Sequence, residues 1–91
     1  MKMNPKWKFV EVVWEDAVSL VQWGSEENLP RIQTCTTRGW LVREELDYIV
    51  LCATVGENPE EENSLSEIIA IPMGCIQAFN ELRIEYKGLF D

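Results

Sequence analysis

The sequence predicts an all-β domain, built as a small, strongly bent, five-stranded antiparallel barrel. Three observations predict this class. β-branched and aromatic residues are concentrated in five runs separated by turn-forming residues. One long run contains an internal glycine, Gly39, of the kind that marks a bulge or a bend. A later apolar run is interrupted at Pro72 and Gly74, as expected where one strand turns sharply into the next. With 91 residues, the chain has room for one domain, spanning residues 1–91.

The first predicted strand covers residues 7–14, because alternate positions there carry apolar side chains. A helix over residues 9–22 is the competing prediction, since apolar residues in that window also repeat at helical spacing. The connection over residues 15–30 is expected to hold a short helix or turn that begins after Ser25. Trp23, within this connection, is expected to be exposed and available to a partner.

The next two strands are predicted at residues 31–44 and 48–55. The intervening sequence ELD, residues 45–47, suits the loop of a β-hairpin. The first of these strands should be long and bent at Gly39.

The last two strands are predicted at residues 67–72 and 75–86, joined by a tight turn of the 3₁₀ type. Before them, the acidic stretch GENPEEENSLSE has little to bury and is predicted to be a solvated loop rather than a calcium-binding loop. After the turn, Ile76 and Ala78 are expected to share one side of the strand, with Phe79 on the other.

The predicted core consists of apolar residues drawn from all five strands. They are Val10, Val12, Leu41, Ile49, Leu51, Ile69, Ile71, Ile76 and Phe79.

Two stretches resemble the motifs of the Sm/LSm family of small barrels. GWLVREELDYIVL matches the first motif in its glycine, its spaced apolar residues and Asp47, although the hairpin is longer and the asparagine after the aspartate is missing. IPMGCI keeps the span of the second motif but lacks its arginine. The WEDA and IPMG segments also resemble small bacteriophage proteins. The resemblance implies an Sm-like or SH3-like barrel that binds single-stranded RNA or DNA at its hairpin loops.

The resemblance nominates two sets of residues. The candidates for nucleic-acid binding are Asp47, Tyr48, Arg43, Arg38, Met73 and Gly74. An unprotected strand edge recruits another backbone, and the resemblance implies that such pairing closes a homo-oligomeric ring of about five to seven subunits. The candidates for the oligomer interface are Ile68, Ala70, Ile76 and Ala78.

The Sm-like binding module is the first function that the sequence suggests, and the charge balance supports an alternative. Sixteen acidic residues against eight basic ones give a net charge of −8, which opposes a broad affinity for phosphate backbones. The alternative function is therefore an acidic protein-interaction module, such as a phage inhibitor or adaptor, with a basic protein partner.

No catalytic or metal-binding constellation is visible. The chain has no histidine, and Cys35, Cys52 and Cys75 lie in apolar runs without the spacing of metal ligands, so we expect reduced core cysteines. We therefore expect a protein that is not an enzyme and has no cofactor. No apolar run approaches the length of a membrane span, which predicts a location in the cytoplasm, that of the host cell if the protein is phage-encoded.

Overall fold

The computed structural model describes residues 6–19, 21–58 and 61–83. The five strands within these ranges form a single antiparallel sheet. Each strand begins within two residues of its predicted start, and the all-β prediction is confirmed. The competing prediction of a helix over residues 9–22 is wrong, because residues 9–16 form a strand. The strands are β1 (Phe9–Asp16), β2 (Gln33–Glu44), β3 (Tyr48–Val55), β4 (Leu65–Pro72) and β5 (Ile76–Glu81). Two 3₁₀ turns, Glu26–Asn28 and Met73–Cys75, lie at the predicted positions. Residues 84–86 of the last predicted strand lie outside the described residues.

The strand order is β4-β3-β2-β1-β5, so β4 and β5 are the two edges of the sheet. β2 changes partner along its length: residues 33–40 pair with β1, and residues 40–44 pair with β3. Because β2 pairs first with β1 and then with β3, it bends one half of the sheet over the other. Within the described residues, the predicted barrel is therefore an open, bent sheet with β4 and β5 at its edges.

Gly39 lies where the backbone of β3 leaves no room for a side chain on β2. A Cβ atom at this position would stand 2.8 Å from the carbonyl oxygen of Cys52, closer than side-chain carbons approach backbone. The predicted bulge is not at Gly39, since the register shifts between Leu41 and Arg43 instead. Glycine is needed here because two backbones meet, rather than because the ladder is broken.

The core lies between the two halves of the bent sheet. Its fully buried members are Val10, Val12, Ile49, Leu51, Cys52 and Ile71. Leu41, Ile69 and Ile76 pack against it while partly exposed, as does Trp14, whose indole N–H donates a hydrogen bond of 3.0 Å to Thr37.

Phe79 does not belong to the core, although it was expected there. It lies opposite Val12 and hence on the same face, but 43% of its surface is exposed. The reason is its place on the edge strand β5, which pairs with β1 alone among the described strands.

The expected alternation after the tight turn is also wrong. Val13 pairs with Ala78 whereas the next residue, Trp14, pairs with Ile76, so β5 contains one extra residue at this point. Such a bulge reverses which side the following residues face. Ile76 consequently packs against the core, while Ala78 lies on the outer face.

The tight turn does not depend on the conformational freedom of Gly74, whose backbone is not left-handed and where a side chain would meet open space. The expectation for the cysteines needs correction. Of the three cysteines, which are all free thiols, only Cys52 is buried; Cys35 and Cys75 are half-buried. Among the described residues, no helix is long and apolar enough to cross a membrane.

Candidate binding surface at one end of the sheet

The β2–β3 loop and the β4–β5 turn lie side by side. The backbone N–H of Met73 donates a hydrogen bond of 2.9 Å to the carbonyl oxygen of Asp47, and Tyr48 is paired with Pro72. The hairpin itself is closed by a 2.9 Å bond from the Glu45 N–H to the Tyr48 carbonyl. We call residues 45–47 and 73–75 together the loop end. The sequence candidates Asp47, Tyr48, Met73 and Gly74 are thus brought together.

The two candidate arginines do not add a basic patch to the loop end. Arg43 stands at the base of the hairpin with its Nε atom 3.9 Å from a carboxylate oxygen of Glu45. Arg38 lies further back on β2, opposite Glu11, and its Nε atom is 2.7 Å from the Glu11 carboxylate. Each guanidinium is therefore accompanied by a carboxylate. Sequence spacing could not reveal the Arg38 pairing, because it depends on the register between β1 and β2.

The loop end is acidic and apolar. Glu44, Glu45 and Asp47 are all exposed, and Leu46 between them is 97% exposed. Met73 adds a second exposed apolar side chain from the neighbouring turn. Sequence reasoning missed Leu46. The available signal was a large apolar residue in the middle of a short hairpin loop, where no core is within reach.

The β1–β2 connection starts beside the β4–β5 turn. Trp14, near the end of β1, pairs with Ile76 at the start of β5, and the turn Met73–Cys75 contacts both β1 and β3. We call residues 17–19 and 21–32 of this connection the arm. The predicted exposure of Trp23 is confirmed, since its side chain is fully exposed. The other large apolar residues of the arm are exposed as well; they are Val18, Val21, Leu29 and Ile32.

The arm also carries carboxylates. Glu26 and Glu27 form the exposed 3₁₀ turn that follows Trp23. Ser25 does not cap this turn with its side chain; instead its carbonyl accepts a 3.0 Å bond from the Asn28 N–H. The arm and the loop end together present apolar side chains among negative charges.

The residues predicted for an oligomer interface lie on the two edge strands. Ile68 and Ala70 on β4 are exposed, as is Ala78 on β5. Ile76 differs from them, because the bulge in β5 turns it towards the core. Three of the four candidates are therefore accessible beside an edge.

The opposite end of the sheet, beyond the last residue of β3, is negatively charged as well. There the β3–β4 connection exposes Glu57, Glu61 and Glu62. A shallow cavity of about 320 Å³ lies beside it, lined in part by Trp7 and Ile68. Within the ranges that the structure describes, no three cysteine or acidic residues converge on a point where a metal ion could bind.

No protein-family model, no curated protein and no solved structure matches this chain. The fold and the surface define the described part of the chain as a small all-β domain with an open five-stranded sheet and an acidic, apolar surface at one end.

Proposed function

We propose that the protein is a non-enzymatic binding module that recognises a cationic segment of a partner protein at its loop end. The observation that carries this proposal is Leu46, exposed between the carboxylates of Glu45 and Asp47. An exposed apolar residue surrounded by acids suits a ligand that offers both apolar contact and positive charge. Phosphate groups, by contrast, would be repelled by these same carboxylates.

The two parts of this surface would contribute differently. Exposed ion pairs are each worth only about 0–1 kcal/mol and are screened over about 10 Å at moderate salt. Burying Leu46 and Met73 would supply most of the affinity, since a fully buried large apolar side chain gains about 1.5–3 kcal/mol. The net charge of −8 would mainly accelerate encounter with a basic partner.

The absence of catalysis is part of the proposal. The chain contains no histidine, the side chain that most often transfers protons near neutral pH. Adjacent carboxylates such as Glu15 and Asp16 belong to one strand, where neighbouring side chains face opposite sides. They are therefore unsuited to act as a general acid and base on one substrate.

Neutralising the loop end should weaken binding of a labelled cationic peptide made of lysine and leucine. The double substitution Glu45→Gln with Asp47→Asn removes two exposed carboxylates, so we expect affinity at low salt to fall by about 2- to 30-fold. Fluorescence anisotropy measures the change.

The matched control removes the same charge from the opposite end, by Glu57→Gln with Glu62→Gln. We expect this control to bind within about twofold of the unmodified protein, because charges far from the bound peptide are more strongly screened than charges beside it. Equal weakening in both double variants would show that the peptide responds to net charge and not to the loop end.

A second candidate function is an Sm-like ring that binds single-stranded RNA or DNA in the cytoplasm of the cell that makes it. The observation in its favour is that β4 and β5 form the two sheet edges, with Ile68, Ala70 and Ala78 exposed beside them. Edge-to-edge pairing of β4 with β5 of the next copy would close a ring of about five to seven subunits. In that assembly Tyr48 would be the group placed to stack on a base.

Sedimentation near neutral pH tests this second candidate. A ring should sediment at about five to seven times the chain mass of 10.6 kDa and shift short oligonucleotides at low salt. Ile68→Lys, which puts a charge beside the β4 edge, should dissociate it. A single species at the mass of one chain, at micromolar concentration, would eliminate the ring.

A further inference from the structure

The arm displays more apolar surface than the loop end does. Val21 and Trp23 are almost wholly exposed, and Leu29 and Ile32 are exposed over about two thirds of their surface. Trp is the side chain most enriched at energetically dominant positions of protein interfaces. With Val18, five exposed large apolar residues lie in one connection, which exceeds the scattered apolar surface of an ordinary loop. The arm therefore has the composition of an interface.

We propose that the arm and the loop end together seat a cationic amphipathic segment of a partner protein, with Trp23 as the principal apolar contact. This inference rests on the proposed function and specifies its partner. The segment's apolar side chains pack on Trp23 and Leu46, and its lysine or arginine side chains face the surrounding carboxylates.

The surface area that a stable interface buries supports combining the arm with the loop end. A standard interface buries roughly 800 Å² on each partner, whereas a single large aromatic side chain buries at most about 250 Å². Leu46 and Met73 alone fall well short of that area. The arm starts near them, because Trp14, close to the end of β1, pairs with Ile76, the residue that follows the turn Met73–Cys75.

Charge indicates the kind of partner. Glu15 and Asp16 are exposed where the arm begins, and Glu26 and Glu27 are exposed beside Trp23, against a single basic residue of the arm, Arg31. A cationic segment complements this distribution. Anionic membranes and nucleic acids carry the wrong sign.

A second copy of the chain is a poorer occupant than a cationic partner. Its Arg38, Arg43 and Lys8 each lie within 4 Å of a carboxylate of their own chain, those of Glu11, Glu45 and Glu81. Each copy also carries a net charge of −8. Two such surfaces meeting at the arm would place carboxylates against carboxylates, which is unfavourable.

The experiment compares Trp23→Ser with Ile68→Ser in binding the labelled lysine–leucine peptide. Trp23→Ser should weaken binding by about tenfold or more, because it removes the principal apolar contact. Ile68→Ser, which removes an exposed apolar residue from β4, should bind as the unmodified protein does. Both variants should melt as the unmodified protein does, since neither side chain is buried.

Three further probes decide the class of partner. A lysine–serine peptide of equal charge and a glutamate–leucine peptide of equal apolar content should both bind at least about tenfold more weakly than the lysine–leucine peptide. Vesicles of phosphatidylcholine, with or without phosphatidylglycerol, should not bind. Vesicle binding that Trp23→Ser abolishes, or self-association that it abolishes, would overturn the assignment.

The outcomes separate this inference from the proposed function. The role of Trp23 is refuted, while the proposed function stands, if the loop-end double variant weakens peptide binding but Trp23→Ser leaves the affinity unchanged. If the lysine–leucine peptide does not bind the unmodified protein at low salt, both are refuted.

Discussion

Ile71→Ala is expected to lower the free energy of unfolding by about 2–5 kcal/mol. Ile71 is fully buried, belongs to the core cluster and pairs with Ile49, another buried residue. Truncation removes apolar contacts and leaves a cavity between the two halves of the bent sheet. Urea denaturation followed by tryptophan fluorescence measures the loss.

Ile68→Ala is the matched control for Ile71→Ala. The two isoleucines lie on β4 and differ in exposure, since 56% of Ile68 is accessible. We expect the control to cost less than about 1 kcal/mol. A loss under about 1 kcal/mol for Ile71→Ala itself would mean that its side chain does not face the core.

Gly39→Ala is expected to lower the free energy of unfolding by about 1–3 kcal/mol, the range typical of overpacking. The added methyl group would lie 2.8 Å from the carbonyl oxygen of Cys52, and that oxygen belongs to the backbone of β3. Relief would require β2 and β3 to separate where their pairing begins, at Trp40 and Cys52.

Gly74→Ala isolates the steric contribution from the general effect of replacing glycine. Gly74 has open space around it and no left-handed backbone conformation, so alanine should be tolerated within about 0.5 kcal/mol. Thermal unfolding of the two variants side by side measures the difference. Equal stability of the two would contradict the close approach of β2 to β3.

The strands could be predicted because their signals are local. Residues 48–55 form a run of β-branched, aromatic and other apolar residues after a recognisable hairpin loop, and β3 covers that range. Pro72 and Gly74 interrupt an apolar run, and the chain turns there through Met73–Cys75. Composition and turn chemistry are sufficient for such features.

The errors arise where one strand depends on another. The extra residue in β5 reverses the sides of Ile76 and Ala78, and only its pairing with β1 reveals that bulge. Phe79 has the pattern of a core residue but lies on an edge strand, which a single strand's sequence does not disclose.

The candidate surface was predicted only in part, for the same reason. The resemblance nominated Asp47 and Met73, which do meet through a backbone hydrogen bond. It also nominated Arg38, whose charge is accompanied by Glu11 on the neighbouring strand. Leu46 gave a weaker signal, because exposure of an apolar residue depends on how far the core lies from it.

Amide chemical shifts during titration with the lysine–leucine peptide test the central claim most directly. Electrostatics alone would draw the peptide to Glu57, Glu61 and Glu62 at the opposite end as well as to the loop end, whereas only the proposed surface is argued to combine charge with apolar contact. We predict saturable shifts at the loop end and along the arm, including the indole N–H of Trp23, with little change at residues 57–62. Shifts confined to residues 57–62, with the loop end and the arm unchanged, would contradict the account.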